Sequence, residues 1–182
     1  MVATTAYDRR VTAVLIRDAR EGDFDAIAAI TNHYIATTAI HFGYDAVTAA
    51  ELRAMWLHHG ARFPWLVAAS GDDEAAVIGY AKAGTWRERA AYQWTCEVGL
   101  YLAPDRRGQG TGTRLYTALL DACAARGFRS ALGAITLPNP ASVALHERLG
   151  FAPAGVVREA GYKLDAWHDV GFFQKLLAPA AR

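Results

Sequence analysis

Three groups of residues have types and spacings that could do chemistry. The first is Glu97, a carboxylate inside the otherwise apolar run QWTCEVGLYLA, which reads as a strand. A carboxylate there is costly without a task or a partner, and burial moves its pKa toward the range useful to a general base. An outward-facing strand residue is the plain alternative. The second is RRGQGTGTRLY, Arg106 to Tyr116, with three glycines at alternate positions before a helix-like run. It misses the dinucleotide pattern G-x-G-x-x-G because the third glycine falls at Gly112, one residue early, and it lacks the Gly-Lys-Ser/Thr of a Walker loop. A strand feeding a glycine loop into a helix still brings free backbone N–H groups and the positive helix end to one point, which suits a pyrophosphate. Glycine removes the Cβ that would hold phosphate oxygens away, and some positions can require positive φ. Arg106, Arg107 and Arg114 add charge nearby; a surface turn with incidental glycines is the alternative. The third group is Asn139 and His146, seven residues apart, a spacing that puts two helical residues on one face. Asn139 before Pro140 is also fully explained as a helix N-cap, whereas an imidazole can donate a proton near neutral pH.

A further cluster, WRERAAYQW, brings Arg87, Arg89 and Tyr92 close to Glu97 in sequence. Such a loop can grip an anion or form a solvated hairpin tip. Cys96 and Cys123 raise a covalent cysteine route, but Cys123 sits on an apolar helix face and Cys96 alternates away from Glu97, as inert small hydrophobes do.

The elements that must position these residues follow from periodicity. VLIR, from Val14 to Arg17, reads as a strand; Phe24, Ile27, Ala28, Ile30 and Tyr34 mark a helix that Asp23 can cap. Thr48 opens a second helical pattern through Leu52, Met55, Trp56 and His59, stopped by Gly60. WLVAAS and VIGYAKAG flank the turn GDDEA as a hairpin, and QWTCEVGLYLA ends at Pro104. After the glycine loop, Leu115, Leu119, Ala122 and Cys123 share a helix face that ends by Gly127. SALGAIT is then a strand, PASVALHERLG a helix, and AGVVREAGYKL and DVGFFQKLL two last strands. The order βα(α)ββ(β)αβαββ predicts an α/β (α+β) domain with a mixed sheet.

Composition narrows the partners. The 182 residues suit one core, here residues 14–182 after a flexible tail over residues 1–13. Nineteen Lys and Arg against eighteen Asp and Glu give a net charge of +1, too small a field for non-specific nucleic-acid or membrane binding. Two cysteines without any Cys/His clustering predict no metal and fit a reducing cytoplasm. The charge balance leaves a small molecule as the expected partner, and with no secretory core or long apolar run a soluble chain is expected.

YLAPDRRGQGTG resembles the Arg/Gln-x-x-Gly-x-Gly/Ala motif after the fourth strand of the GNAT N-acetyltransferases, with Arg107, Gly110 and Gly112 at its fixed positions. NPASVALHERLGF, Asn139 to Phe151, resembles the family's second motif. TNHYIATTAIHF, FPWLVA, TWRERAAYQWTCEVGLYL and WHDVGFFQ are similar to segments of its phosphinothricin acetyltransferase group, extending the likeness from about Val14 to Leu177. The resemblance implies a central mixed, mostly antiparallel twisted sheet of about seven strands with about four helices. It implies acetyl-coenzyme A as cosubstrate, bound by Arg107, Gly108, Gln109, Gly110, Thr111, Gly112 and Thr113, by the backbone of Leu100, Tyr101 and Leu102, and by Asn139 and Arg148. Glu97 matches the catalytic base. His146 stands where most members carry a Tyr acid and this group a His. Arg87, Arg89 and Tyr92 match the positions that hold the acceptor's carboxylate and phosphinate, with Phe42 as an acceptor-side aromatic. The acceptor implied is a small amino acid such as phosphinothricin, methionine sulfoximine or methionine sulfone, and the assembly a homodimer. Where the group often reads Phe-Arg-Thr-Glu-Pro just after Phe42, this chain reads HFGYDAV, a departure that bears on which acidic amino acid fits. A protein N-terminal or polyamine acetyltransferase and a non-catalytic acyl-coenzyme A sensor are the rival readings.

Overall fold

The computed structural model of the protein describes residues 14–71 and 73–177; the tail expected over residues 1–13 lies outside them. In chain order the elements are β1 (Val14–Asp18), α1 (Phe24–Thr37), α2 (Ala49–His59), β2 (Trp65–Ser70), β3 (Asp73–Thr85), β4 (Thr95–Leu102), α3 (Thr111–Ala125), β5 (Ser130–Leu137), α4 (Pro140–Arg148), β6 (Ala152–Lys163) and β7 (Ala166–Leu176). The strands form one sheet in the order β1-β2-β3-β4-β5-β7-β6, antiparallel throughout except for the parallel pair β4–β5. The mixed α/β architecture expected from the element order is the one observed.

Both faces of the sheet are covered, which is why β2 reads as a continuous apolar run rather than an alternating one. Trp65 and Val67 pack with Phe24, Ile27 and Tyr34 of α1 and with Tyr80 of β3. On the other face Leu66, Ala68, Cys96 and Val98 pack with Leu115, Leu119 and Cys123 of α3. Each fully buried large side chain contributes about 2 kcal/mol.

Local signals explain most boundaries. The Thr48 hydroxyl accepts the Glu51 N–H at 3.1 Å while the Glu51 carboxylate accepts the Thr48 N–H at 2.7 Å, closing a capping box on α2. Gly60 (φ +56°) and Gly127 (φ +86°) end α2 and α3 in the left-handed region. Asp23 departs from its expected role as the cap of α1. Its carboxylate instead takes the Arg17 guanidinium in a bidentate pair, 2.8 Å to each oxygen, and accepts the Arg20 N–H at 2.6 Å. A charged fork satisfies a buried carboxylate better than one helix N–H does. Burial alone would raise the Asp23 carboxyl; the Arg17 and Arg20 bonds outweigh it and hold the group below its usual range. Losing either partner of such a pair costs about 3 kcal/mol or more.

The feature that matters for function is where the sheet opens. Strand β4 stays paired with β3 through Leu102, but meets β5 only at Thr95, Cys96 and Glu97. Beyond Glu97, β5 continues along β7 through Leu137. A wedge therefore opens between β4 and β5, with Glu97 at its root.

Candidate active site

Strand alternation decides which backbone groups line the wedge. The Ala103 N–H donates to the Ile78 carbonyl of β3, so Glu97, Gly99 and Tyr101 direct their peptide groups to β3, and Val98, Leu100 and Leu102 direct theirs into the wedge. The Leu102 carbonyl accepts the Tyr34 hydroxyl at 2.7 Å, and the Val98 carbonyl lies 3.4 Å from the Tyr116 hydroxyl. Leu100 is the residue between them whose N–H and C=O face the opening. Of the three residues expected to bind through backbone, Leu100 and Leu102 are so directed. Tyr101 is not, because its peptide belongs to the β3 ladder; its contribution is its ring, stacked 5.4 Å from Tyr80.

At the mouth of the wedge the glycine loop meets α3. Gly108 (φ +76°) and Gly110 (φ +77°) adopt backbone that glycine alone accepts without strain, as the sequence suggested for part of the loop. The first helical bond of α3 is Arg114 N–H to the Gly110 carbonyl, so the N–H groups of Thr111, Gly112 and Thr113 have no helical partner. A cleft of about 470 Å3 runs past this terminus, lined by Leu100, Tyr101, Leu102, Arg107, Gly108, Gly110, Gly112 and Thr113 on one side and by Asn139, Ser142, Leu145 and Arg148 on the other. Gln109 is exposed and Thr111 buried, and neither lines the cleft, although the Thr111 N–H faces the same helix end. Arg114, expected to add charge, instead donates to the Val14 carbonyl at 2.9 Å.

Tyr34 was legible in the sequence only as an apolar helix position. In the structure it joins the cleft wall: Arg107 donates to its hydroxyl at 3.0 Å and lies 5.2 Å over its ring. The aromatic floor thereby fixes the guanidinium that faces the cleft.

Glu97 is exposed on the face of the sheet that carries α1 and α2. Burial by the surrounding protein raises its carboxyl above the ordinary range, and the positive charge of Lys82 acts in the opposite sense. Cys96, beside it in sequence, points to the other face; both cysteines are fully buried and unpaired. The Cys123 thiol is pushed up by its hydrogen bond with the Cys96 thiol and by burial, which disfavours a thiolate.

Asn139 caps α4 as its neighbour Pro140 suggested, accepting the Ser142 N–H at 3.1 Å, and also lines the cleft. His146 does not converge with it. The cap residue has φ −144° and ψ 75°, outside the helical rotation, so a seven-residue spacing counted from it does not set one face. The imidazole is buried against Tyr116, Phe151 and Phe173. Its Nδ1 lies 2.8 Å from the Ser142 carbonyl and so carries the proton, and Nε2 accepts from the Tyr116 hydroxyl at 3.0 Å. Burial moves the ring's pKa down, against the Ser142 bond, and keeps it neutral. Gly133 makes room for the ring: a Cβ there would stand 2.4 Å from Nε2.

Arg87, Arg89 and Tyr92 do come together, around a separate recess of about 240 Å3 that also includes Arg62 and does not include Glu97. A 3-10 turn at Ala90–Tyr92 folds the loop back there. Phe42 packs on Gly161, where a Cβ would lie 2.4 Å from its ring, and its centroid is 6.3 Å from that of His168. Lys163 straps the same loop by donating to the carbonyls of Ile35 and His41 at 2.6 Å each. Among the described residues no group of three or more His, Cys, Asp or Glu is placed to hold a metal ion, and no helix is long and apolar enough to cross a membrane.

The chain is similar to known proteins over most of its length. The chain is 43% identical to a phosphinothricin N-acetyltransferase of Streptomyces viridochromogenes over 162 residues, 89% of this chain and 87% of that one. It is 35% identical to an L-methionine sulfoximine/L-methionine sulfone acetyltransferase of Pseudomonas aeruginosa over 164 residues, 90% and 95% of the two chains. A phosphinothricin acetyltransferase of Sinorhizobium meliloti, solved in complex with acetyl-coenzyme A, superposes with a TM-score of 0.86 at 33% identity, covering 93% of this chain and 91% of that one. The profile of the acetyltransferase (GNAT) family matches residues 27–151. Sequence and fold thus agree over most of the length, and the chain belongs to the acetyltransferase (GNAT) family.

Proposed function

We propose that the protein transfers the acetyl group of acetyl-coenzyme A to the α-amino group of a small, glutamate-like amino acid of the phosphinothricin, methionine sulfoximine or methionine sulfone type. The observation that carries this reading is the position of Glu97, a carboxylate with a raised pKa at the root of the wedge, three residues before the free peptide of Leu100. Relatives named for those acceptors support it.

The coenzyme, when bound, supplies a thioester whose acetyl carbon accepts the amine. The N–H groups of Thr111, Gly112 and Thr113, with Arg107 and the loop residues Gly108 to Gly110, would hold its pyrophosphate. Leu100 and Leu102 would meet its pantetheine arm, with Asn139 and Arg148 on the opposite wall. The residues present fit such a ligand, since Gly108 and Gly110 leave open space where side chains would stand. Glu97 removes the proton that keeps the acceptor's ammonium from attacking, directly or through a water. The Leu100 N–H donates to the carbonyl oxygen on which charge develops. The leaving thiolate takes its proton from solvent in the open cleft, because both nitrogens of His146 are engaged. His146 holds α4 against Tyr116, and so shapes the wall. Arg87, Arg89 and Tyr92 act on an acceptor whose far end reaches their recess, and Phe42 is an acceptor-side aromatic.

Thiol release measured with phosphinothricin, methionine sulfoximine, methionine sulfone and polyamines tests the assignment. Turnover with at least one of the three amino acids, and slower turnover with polyamines, is expected. Polyamine turnover alone would overturn it, and silence with every amine would leave an acyl-coenzyme A sensor. Lys82 beside Glu97 already disfavours a polycation.

We also propose a homodimer, as the resemblance to the phosphinothricin acetyltransferase group implies, located in the cytoplasm. β6 is one of the sheet's two edges, twelve residues long and exposed over nearly all of them, with Val156, Val157 and Tyr162 half-exposed and Trp167 of β7 62% exposed. A long apolar edge is a template for pairing. Light scattering is expected to give twice the chain mass, and Val157→Lys to give one chain mass; a wild-type monomer would refute the dimer.

A further inference from the structure

Lys82 is a charged residue on the acceptor side of the sheet that neither the coenzyme cleft nor the base assignment uses. The register places it: Lys82 on β3 lies opposite Gly99 on β4, between the pairs Gly84–Glu97 and Tyr80–Tyr101. Residues two apart on a strand share a face, so Lys82, Glu97, Tyr80 and Tyr101 stand on the side covered by α1 and α2. The two remaining squares of that patch, Gly84 and Gly99, carry no side chain. At Gly99 an added Cβ would meet nothing nearer than Tyr101 Cε2 at 4.0 Å, so the patch has an open floor between the ammonium and the carboxylate.

Among the described residues this ammonium has no anion within ion-pair distance. Lys82 Nζ lies 4.8 Å over the Trp65 ring and donates to the thioether of Met55 at 3.6 Å. Among the described residues it forms no ion pair within 4 Å, and Glu97, its diagonal neighbour, is out of bonding reach. Diagonal neighbours in an antiparallel pair are separated by about 7–8 Å. Two opposite charges held apart over a glycine floor match the two ends of an α-amino acid, whose carboxylate and ammonium are separated by one carbon.

We propose that Lys82 is the anchor for the acceptor's α-carboxylate, and that by holding it over Gly99 it delivers the α-amino nitrogen to Glu97. The proposal rests on the acceptor reading given above and adds the group that recognises the amino acid's backbone end. It departs from the resemblance, in which the positions of Arg87, Arg89 and Tyr92 hold the carboxylate as well as the phosphinate: these residues line a recess that does not include Glu97, and the proposal leaves them the acceptor's other end. His41 and His59 face the same ammonium, and burial with the charge of Lys82 keeps both pKa values low, so neither competes for the carboxylate as a cation at neutral pH.

Lys82→Met keeps the unbranched stem on Trp65 and removes the charge. It is to be compared with the wild type on the best amino-acid acceptor and on that acceptor's α-carboxamide, at the pH plateau of each enzyme so that any change in the titration of Glu97 is set aside. The variant is expected to raise KM for the acid roughly 10- to 100-fold and to leave KM for the carboxamide within about threefold. Lys82→Arg is expected to recover part of the loss, and acetyl-coenzyme A affinity, the check on folding, to be unchanged. Equal losses on both acceptors, or no loss on the acid, would overturn the proposal while leaving the acetyltransferase reading intact. A wild type that acetylates no α-amino acid would overturn both.

Discussion

Glu97→Gln is expected to lower kcat/KM for the acceptor by roughly 10^2- to 10^4-fold, the range for loss of a positioned general base. The substitution keeps the size of the side chain and its place opposite Gly84. Acetyl-coenzyme A affinity is expected to hold, because the glycine loop and α3 are built from different residues than the root of the wedge. The pH profile supplies the sharper readout. A base works deprotonated, so the wild-type rate rises with pH through the Glu97 pKa, and burial puts that midpoint above the ordinary glutamate range. The Gln variant is expected to lose this acidic limb. Stability moves the other way. A carboxyl whose pKa is raised by folding binds its proton more tightly in the native state, so native stability falls as pH rises through that shifted range. At neutral pH the charged Glu97 is therefore a liability to the fold, and Glu97→Gln is expected to keep or raise the thermal midpoint. A variant with full rate on a good acceptor, or one that still shows the acidic limb, would remove Glu97 from the base role.

The contrast between Glu97 and His146 shows what a sequence can carry about a site. Glu97 was legible because strand alternation is strictly local: a carboxylate two residues from Gly99 and adjacent to Cys96 must face opposite to that thiol, whatever the rest of the chain does. The glycine loop was legible for the same reason, since positive φ at Gly108 and Gly110 is a property of single residues. His146 needed non-local facts. Its ring is buried because Gly133, on another strand, has no Cβ and because Tyr116, on another helix, offers a hydroxyl. The wedge likewise depends on β5 leaving β4 for β7, a choice among partners that no local period encodes. Asp23 was misread for a similar reason, because its stronger partner, Arg17, sits in the preceding strand. Lys82 went unremarked in VIGYAKAG, which reads only as a hairpin strand, because the register that sets it diagonally to Glu97 is a pairing between strands.

Gly112→Asp is expected to weaken acetyl-coenzyme A binding roughly 100-fold while making the free protein more stable, and the opposite signs make it a clean test of the cradle. Gly112 is the second residue of α3 and has no positive φ. A Cβ there meets Leu102 Cδ1 at 3.5 Å, Leu100 Cδ2 at 3.8 Å and Leu145 Cδ2 at 3.9 Å, all ordinary contacts. The backbone therefore accepts the side chain, and an acid in the first turn of a helix stabilises it by about 0.3–1 kcal/mol through the terminal N–H groups, added to the gain from replacing a helical glycine. Those N–H groups are the ones assigned to the pyrophosphate. A carboxylate about 5 Å from a phosphate repels it by about 3 kcal/mol at an effective dielectric constant near 20. Gly112→Asn, nearly the same shape without the charge, separates repulsion from bulk and is expected to lose about tenfold or less. Calorimetric titration of both variants with acetyl-coenzyme A, beside their thermal melts, reads all four quantities. Equal losses for Asp and Asn would make the glycine a matter of space alone, and unchanged affinity in Gly112→Asp would move the pyrophosphate away from the α3 terminus.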